Sequence, residues 1–158
     1  MYCPPRLQSF QQLMGNSKPG IFFISEKNAY GIRHKLAIKN WLNHIAKRKK
    51  KSIGTLYYFI VNDQQLLLLN KKFLKHDTFT DIITFDLSQE KNRLSGEIYI
   101  SIDRVKENAG IYKVSVSTEL HRVMAHGLLH LCGFLDKSEN EKKQMRREEE
   151  IALNLRSF

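Results

Sequence analysis

The elements predicted along this chain indicate an α+β fold in a single domain. Four short segments are rich in β-branched and aromatic residues, as strands are, and five segments have the apolar spacing of an amphipathic helix. The two kinds of element do not alternate in the regular order of a parallel α/β fold. Because 158 residues can bury one sizeable hydrophobic core, we expect one α+β domain.

The first half of the predicted domain contains two strands and two helices. Residues 21–25 are a short apolar strand candidate, and residues 30–48 have one apolar side, which predicts a helix. Residues 53–61 are rich in β-branched and aromatic side chains, which predicts a buried strand. Asn62 and the residue after it can cap a second helix, which continues through Phe73.

The second half is predicted to contain two further strands and three helices. One strand begins at Ile82, and after a loop over residues 89–95 another strand occupies residues 96–101. Residues 103–112 are expected to be helical, and Thr118 opens a long, mostly apolar helix.

The last predicted helix begins with a capping box. Ser138 is followed three residues later by Glu141, and such a pair satisfies backbone N–H groups at a helix start. Alternating charges then continue to about Leu153, which is most simply explained as a solvated helix face.

Residues 1–20 differ from the rest of the chain. They contain all three prolines and little periodicity, so we expect a disordered N-terminal extension followed by a domain over residues 21–158. The sequence has no apolar run of about 18 residues and no secretory signal pattern, so no membrane association is expected. Cys3 and Cys132 are the only cysteines, which makes a disulfide framework improbable and a reducing cytoplasm the natural compartment.

The positive charge of the chain is concentrated in one stretch. The formal net charge is +10, and residues 33–51 contain no acidic side chain. This stretch holds eight basic residues: Arg33, Lys35, Lys39, Lys47, Arg48, Lys49, Lys50 and Lys51. Such a patch suits the phosphate backbone of a nucleic acid. The alternative is a solvated helix end, where cations complement the helix dipole.

The segment HGLLHLCGFLD (126–136) contains the candidate functional residues. His126 and His130 are four residues apart, so a helix places them on one face, where both imidazoles can bind one divalent metal. Gly133 suits a left-handed turn at the end of that helix, which can bring Asp136 back as a third ligand. Three protein ligands leave the fourth tetrahedral position for water, which is typical of a catalytic zinc site.

Two alternatives stand beside this interpretation. Paired histidines on a helix are commonly surface residues or hydrogen-bonded core residues, and Asp136 can serve simply as a turn residue before the next helix. The residues around His126 and His130 are apolar on almost every side, however, which predicts a buried helix. A buried pair of imidazoles is most economically satisfied by a metal, so we favour one metal ion at this place.

The same segment argues against a zinc peptidase. Proteases with the pattern HExxHxxGxxH carry a glutamate after the first histidine, which acts as general base. This chain has Gly127 there, so a peptidase would lack its proton acceptor. We expect Gly127 to leave space beside the metal.

Several segments together resemble one family, the bacterial YbeY proteins. The strongest match is ELHRVMAHGLLHLCGF (119–134), which resembles the family's HGxLHLxG signature and the helix leading to it. The segments LNKKFLKHDTFTDIITF (69–85) and GEIYIS (96–101) resemble two upstream blocks. The acidic final helix also fits, through Glu141, Met145 and Glu148. The resemblance extends from about residue 21 to residue 152.

The resemblance implies a structure and an activity. The fold would be a mixed sheet of about four strands with surrounding helices and a cleft that holds one metal ion, usually zinc. The activity would be that of a metal-dependent endoribonuclease, acting in maturation of the 3′ end of 16S ribosomal RNA and in ribosome quality control. The implied partners are the small-subunit RNA precursor, the small ribosomal subunit and an assembly GTPase, with no role for DNA.

Two positions depart from the family pattern. Asp136 stands where the family most often has a third histidine, and its oxygen can ligate zinc at a comparable distance. Leu74 stands where many members carry an arginine that is thought to help bind or cleave RNA. Lys71, Lys72 and Lys75 can replace its charge, although lysine does not reproduce bidentate phosphate binding.

The leading hypothesis is therefore hydrolysis of single-stranded RNA at one Zn²⁺ held by His126, His130 and Asp136, with the two histidines as catalytic residues. The candidate RNA-binding residues are Lys47, Arg48, Lys49, Lys71, Lys72 and Lys75. The alternative is a non-catalytic ribosome assembly factor in which zinc stabilises the fold. No residue identifies itself as the general base: Glu97 and His121 are candidates, although helical spacing puts His121 away from the ligands and favours a core or surface role.

Overall fold

A computed structural model describes residues 18–25, 30–74 and 77–158. Most of the predicted N-terminal extension, residues 1–17, lies outside these ranges, as does Lys75. Within them the predicted α+β architecture is confirmed.

The described residues form one mixed sheet of four strands. The strands are β1 (Gly20–Ser25), β2 (Ser52–Val61), β3 (Ile82–Asp86) and β4 (Arg93–Ser101), arranged in the order β1-β2-β4-β3. Strand β2 pairs in parallel with β1 and with β4, whereas β3 runs antiparallel to β4. Strand β3 is therefore an edge of the sheet.

Five α-helices surround this sheet in the described part of the chain. They are α1 (Lys35–Arg48), α2 (Asp63–Leu69), α3 (Ile102–Tyr112), α4 (Val116–Leu131) and α5 (Glu139–Asn154). A π-helical turn, Asn70–Leu74, continues α2. The two capping patterns predicted at Asn62 and Ser138 are both present, and each side chain accepts a hydrogen bond from a backbone N–H three residues on.

Three predicted boundaries are wrong, each for a local reason. Helix α1 begins at Lys35 rather than at residue 30, because His34 adopts a left-handed conformation with φ of 53°. Strand β4 begins at Arg93, within the predicted loop, because its first residues pair with the start of β2. Helix α4 begins at Val116, because the Ser115 side chain caps it by accepting from the Thr118 N–H.

The main core lies between the sheet and helices α1 and α4. Leu56, Tyr58 and Ile60 alternate along β2 and face this side, where they join buried residues of both helices. The Tyr58 hydroxyl donates to the Met124 carbonyl oxygen of α4 at 3.0 Å. A smaller core on the opposite side of the sheet lies under α2 and contains Leu66, Leu69, Ile83 and Tyr99.

Helix α4 is the central helix predicted to carry the site. It is buried along most of its length, and α3 and α5 pack against it. The Trp41 indole N–H donates to the Ala152 carbonyl oxygen at 2.7 Å, which fixes α1 to α5. None of the helices within the described residues is long and apolar enough to cross a lipid bilayer.

Candidate metal centre

The structure brings the three predicted ligands together at the C-terminal end of α4. The Nε2 atoms of His126 and His130 are 2.9 Å apart. The Oδ2 atom of Asp136 lies 3.5 Å from the first of these nitrogens and 3.4 Å from the second. All three side chains are partly exposed, so solvent can reach this group of ligand atoms.

A left-handed turn after α4 brings Asp136 to this position. Gly133 has φ of +99°, the conformation that glycine adopts without the strain of a side chain. The N–H groups of Gly133 and Phe134 donate to the carbonyl oxygens of His130 and Leu129, at 2.9 and 3.1 Å. These bonds end the helix and reverse the chain, as predicted from Gly133.

A second set of contacts orients the two imidazoles. His130 Nδ1 lies 2.9 Å from the carbonyl oxygen of Phe134, and His126 Nδ1 lies 2.6 Å from Oε1 of Glu149. A carbonyl oxygen only accepts, so His130 donates through Nδ1–H. Burial raises the pKa of Glu149, but the hydrogen bonds and charges of His126 and Arg122 outweigh it and lower that pKa. The ionised Glu149 therefore accepts from Nδ1–H of His126.

This tautomer assignment leaves three acceptors facing one another. With the protons on Nδ1, each Nε2 presents a lone pair, and the Asp136 carboxylate oxygen adds another. Burial and the charge of His126 lower the pKa of His130, which keeps its imidazole neutral near pH 7. Two imidazoles, each held through its Nδ1, and one carboxylate form a donor set suited to Zn²⁺.

Arg122 holds the carboxylate that orients His126. Its guanidinium contacts both oxygens of Glu119, at 3.0 and 2.6 Å, and donates to Oε2 of Glu149 at 3.0 Å. Its NH2 group is 3.7 Å from the Asp81 carboxylate. Burial lowers the pKa of Arg122, but the two glutamates outweigh this effect and raise it. The imidazole of His126 is thus fixed by a buried ionic network.

The sequence interpretation missed Glu149 and Arg122. Glu149 lies in a run of three glutamates that was interpreted as a solvated face, yet it is only 5% exposed. The spacing of α5 contains the missed signal, because Met145, Glu149 and Ala152 follow the four-then-three repeat of one helix face. A carboxylate on the same helix face as two buried apolar residues predicts a buried partner for that carboxylate.

Gly127 does not leave space beside the metal, contrary to the expectation above. It faces the sheet, and a Cβ atom there would lie 2.9 Å from atoms of both Ile82 and Ile98. The helix turns about 100° per residue, so the position after His126 points away from the ligand face. The absence of a side chain at Gly127 allows α4 to lie close to β3 and β4.

Gly127→Glu, which restores the protease pattern, is expected to destabilise the fold rather than supply a base. Its carboxylate would be forced into the apolar layer, so we expect a loss of more than about 3 kcal/mol of unfolding free energy. Urea denaturation measures this loss. Leu135→Glu is the control, because Leu135 is exposed next to the centre. A Gly127→Glu protein of wild-type stability would contradict this packing.

The two candidate general bases lie away from the ligands. Glu97 is buried on the α2 side of the sheet, where it accepts from the Tyr99 hydroxyl at 2.8 Å. His121 has the predicted core role: it lies between the rings of Trp41 and Phe158, and its Nδ1 accepts from Arg156 at 2.9 Å. Neither position gives support to a role as general base.

His121 is expected to make the protein sensitive to acid. Burial, with the charges of Arg156 and His34, lowers its pKa to about 4, against about 6.5 in an unfolded chain. Between these values the unfolded state binds more protons, so stability falls as the pH drops from about 6.5 to about 4. We expect His121→Asn, which keeps an acceptor but does not titrate, to lose about 2 kcal/mol less over this range. Chemical denaturation at pH 7 and pH 4.5 measures the difference, and an equal loss in both proteins would refute it.

The basic residues predicted to bind RNA occupy two places. Lys47 and Arg48 are exposed at the end of α1, whereas Lys49 pairs with Glu148 and lies 5.0 Å from the Phe134 ring. This contact puts the end of α1 beside the loop that carries Asp136. The second place is the π-helical turn, where Lys71 and Lys72 are both exposed.

Comparison with known proteins gives a consistent result. Residues 23–156 match the family model described as Endoribonuclease YbeY. A protein named Endoribonuclease YbeY from Cytophaga hutchinsonii is 51% identical over 138 residues, which cover 87% of this chain and 96% of that protein. One of the same name from Christiangramia forsetii is 42% identical over 87% of this chain and 95% of its own length. The solution structure of TM1509 from Thermotoga maritima is similar with a TM-score of 0.60 and 26% identity, covering 85% of this chain and 87% of that one.

Proposed function

The chain belongs to the YbeY family of endoribonucleases, and from this premise we propose that it is a metal-dependent endoribonuclease that acts in the maturation of ribosomal RNA. The proposed substrate is single-stranded RNA at the 3′ end of the 16S precursor, and the proposed setting is ribosome quality control in the cytoplasm. The proposed partners are the small ribosomal subunit and an assembly GTPase.

One observation carries the proposal for this chain. Two imidazole nitrogens and one carboxylate oxygen converge on partly exposed side chains, and each imidazole is oriented through its other nitrogen. Structural zinc sites usually have four protein ligands, whereas three ligands and an open side are typical of catalytic sites. This donor set supports one Zn²⁺ per chain as the cofactor.

In the proposed mechanism, some residues would hold the metal and others orient its ligands. His126, His130 and Asp136 would hold the zinc, which supplies Lewis acidity and lowers the pKa of water when it is bound. Glu149 and the Phe134 carbonyl keep both imidazoles in the ligating tautomer. The Arg122 guanidinium keeps Glu149 ionised and in place.

The basic residues would supply affinity for the phosphate backbone. Lys47, Arg48 and Lys49 lie at the end of α1 next to the metal loop, and we propose that they bind RNA together with Lys71, Lys72 and Lys75. Such binding is sequence-independent and weakens as salt rises, because counterions are released from the RNA.

The non-catalytic assembly factor is not favoured. The two relatives compared above are named as endoribonucleases, and this chain matches nearly the whole length of each. The three-ligand centre also differs from a purely structural zinc site, where a fourth protein ligand normally closes the coordination.

The direct test is cleavage of a precursor that carries the unprocessed 3′ end of 16S ribosomal RNA. The protein would be stripped with a chelator and reloaded with zinc, manganese or magnesium, and each form compared on single-stranded and on duplexed RNA. We expect cleavage only in a metal-loaded form and only of unpaired RNA. Equal cleavage after chelation, or no cleavage with any metal, would refute the proposal.

A further inference from the structure

Two phenylalanine rings are exposed to solvent, one in the π-helical turn after α2 and one just before β3. Phe73 is 45% exposed and Phe79 is 50% exposed, although burial of either ring would contribute to stability. Exposed aromatic rings beside cations are typical of surfaces that bind single-stranded nucleic acid, because every base has a flat face that can stack.

A cationic side chain lies within 6 Å of the centre of each of these rings. The guanidinium carbon of Arg104 is 5.3 Å from the centre of the Phe79 ring, and Asp63 holds that guanidinium through contacts of 2.9 and 2.7 Å. The Lys72 ammonium is 5.2 Å from the centre of the Phe73 ring. Arg104 is paired with Glu107 as well as with Asp63. The positive charge available to an incoming phosphate therefore lies at Lys72, beside Phe73.

Packing and hydrogen bonds fix the places of both rings. Phe73 packs edge-to-face on Phe85 of β3, with 5.4 Å between ring centres. The Asn70 side-chain amide donates to the Thr78 carbonyl oxygen at 2.7 Å, directly before Phe79. Both rings are thus presented in defined positions.

The two rings lie toward opposite ends of edge strand β3. Phe73 packs on Phe85 near the end of β3, on the α2 side of the sheet, whereas Phe79 precedes the start of this strand. Two residues after Phe79, the Asp81 carboxylate lies 3.7 Å from Arg122, one helical turn before His126. A strand of RNA lying along this edge of the sheet would pass both rings.

We propose that Phe73 and Phe79 are a stacking site for unpaired bases of single-stranded RNA. The inference rests on the proposed function and deepens it, because stacking on exposed rings requires bases that are not paired in a duplex. The Lys72 ammonium beside Phe73 and the net charge of +10 favour RNA over a protein as the ligand of these rings.

The test compares side chains of similar size with and without an aromatic face. Phe79→Leu and Phe73→Leu keep an apolar side chain, whereas Phe79→Tyr and Phe73→Tyr keep the ring. Binding of a fluorescein-labelled 2′-O-methyl oligouridylate to the full, metal-loaded chain would be followed by anisotropy over a range of salt concentrations. We expect each leucine variant to bind about 5- to 100-fold more weakly and each tyrosine variant within about twofold of wild type.

Two controls separate stacking from other effects. Leu87→Ala removes another apolar side chain, 43% exposed just after β3, and should leave affinity unchanged. The dependence of affinity on salt should also keep its wild-type slope in the leucine variants, because no phosphate contact is removed. Thermal denaturation shows whether each variant is folded. Substitution of Phe79 should disturb the fold less than substitution of Phe73, because the Phe79 ring is half exposed on a loop.

Leucine variants that bind as tightly as the wild type would overturn the stacking site. If the wild type still cleaves precursor RNA in that case, the proposed function stands and these rings serve another partner. A wild type that neither binds the oligonucleotide nor cleaves RNA would overturn both proposals.

Discussion

His126→Ala is expected to abolish metal binding at neutral pH and to reduce RNA cleavage by about a thousandfold or more. The substitution removes one of three ligands, and the several kcal/mol that a bound metal contributes to the transition state are lost with it. Metal analysis of the purified protein should give about one zinc per wild-type chain and none in the variant. Cleavage of the 3′ precursor under the same conditions gives the rate.

A matched control is available elsewhere on the same molecule. His44 is an exposed histidine on α1, so His44→Ala makes the same chemical change away from the ligands and should keep both zinc and activity. His130→Ala and Asp136→Ala should each lose or weaken zinc binding as well. A folded His126→Ala/His130→Ala protein that still supports ribosome maturation would instead favour the non-catalytic assembly factor.

Glu149→Leu is expected to weaken zinc binding about 10- to 100-fold, although Glu149 is not a proposed ligand. The substitution leaves the Nδ1–H group of His126 without its acceptor and leaves Arg122 with one buried carboxylate fewer. Breaking such a buried ionic contact should also cost about 3 kcal/mol of unfolding free energy. Competition with a zinc chelator gives the affinity, and urea denaturation gives the stability.

Two further variants show whether the effect comes from orientation of His126. Glu149→Gln keeps an oxygen that can accept from Nδ1–H, so it should bind zinc more tightly than Glu149→Leu. Glu150→Leu makes the same change at the next, exposed position and should have little effect. Wild-type zinc affinity in folded Glu149→Leu would show that His126 does not need this carboxylate.

The order of the elements could be predicted from the sequence because local patterns determine it. The β-branched and aromatic runs of β2 and the capping patterns at Asn62 and Ser138 require no knowledge of distant residues. Boundaries were less predictable where tertiary structure decides them. The start of β4 depends on pairing with β2, some 40 residues earlier, and the start of α1 depends on a left-handed residue, His34.

The candidate ligands could be predicted for a similar reason. Four-residue spacing and one glycine turn are local, so His126, His130 and Asp136 could be placed together without knowing the rest of the fold. Glu149 was missed because its contact with His126 depends on how α5 packs against α4. The direction of Gly127 was misjudged because the sequence does not say which side of α4 faces the sheet.

All groups that form and orient the centre come from one helical hairpin. From Glu119 to Glu149 the chain runs along α4, turns at Gly133 and returns along α5, and the ligands lie where the two arms meet. A bound ion would therefore connect the two helices: its protein ligands lie on α4 and the loop, and the carboxylate that orients His126 lies on α5. A ligand that binds only the native state stabilises the elements that form its binding site. Metal loading would therefore slow the local opening of α5 more than that of the sheet.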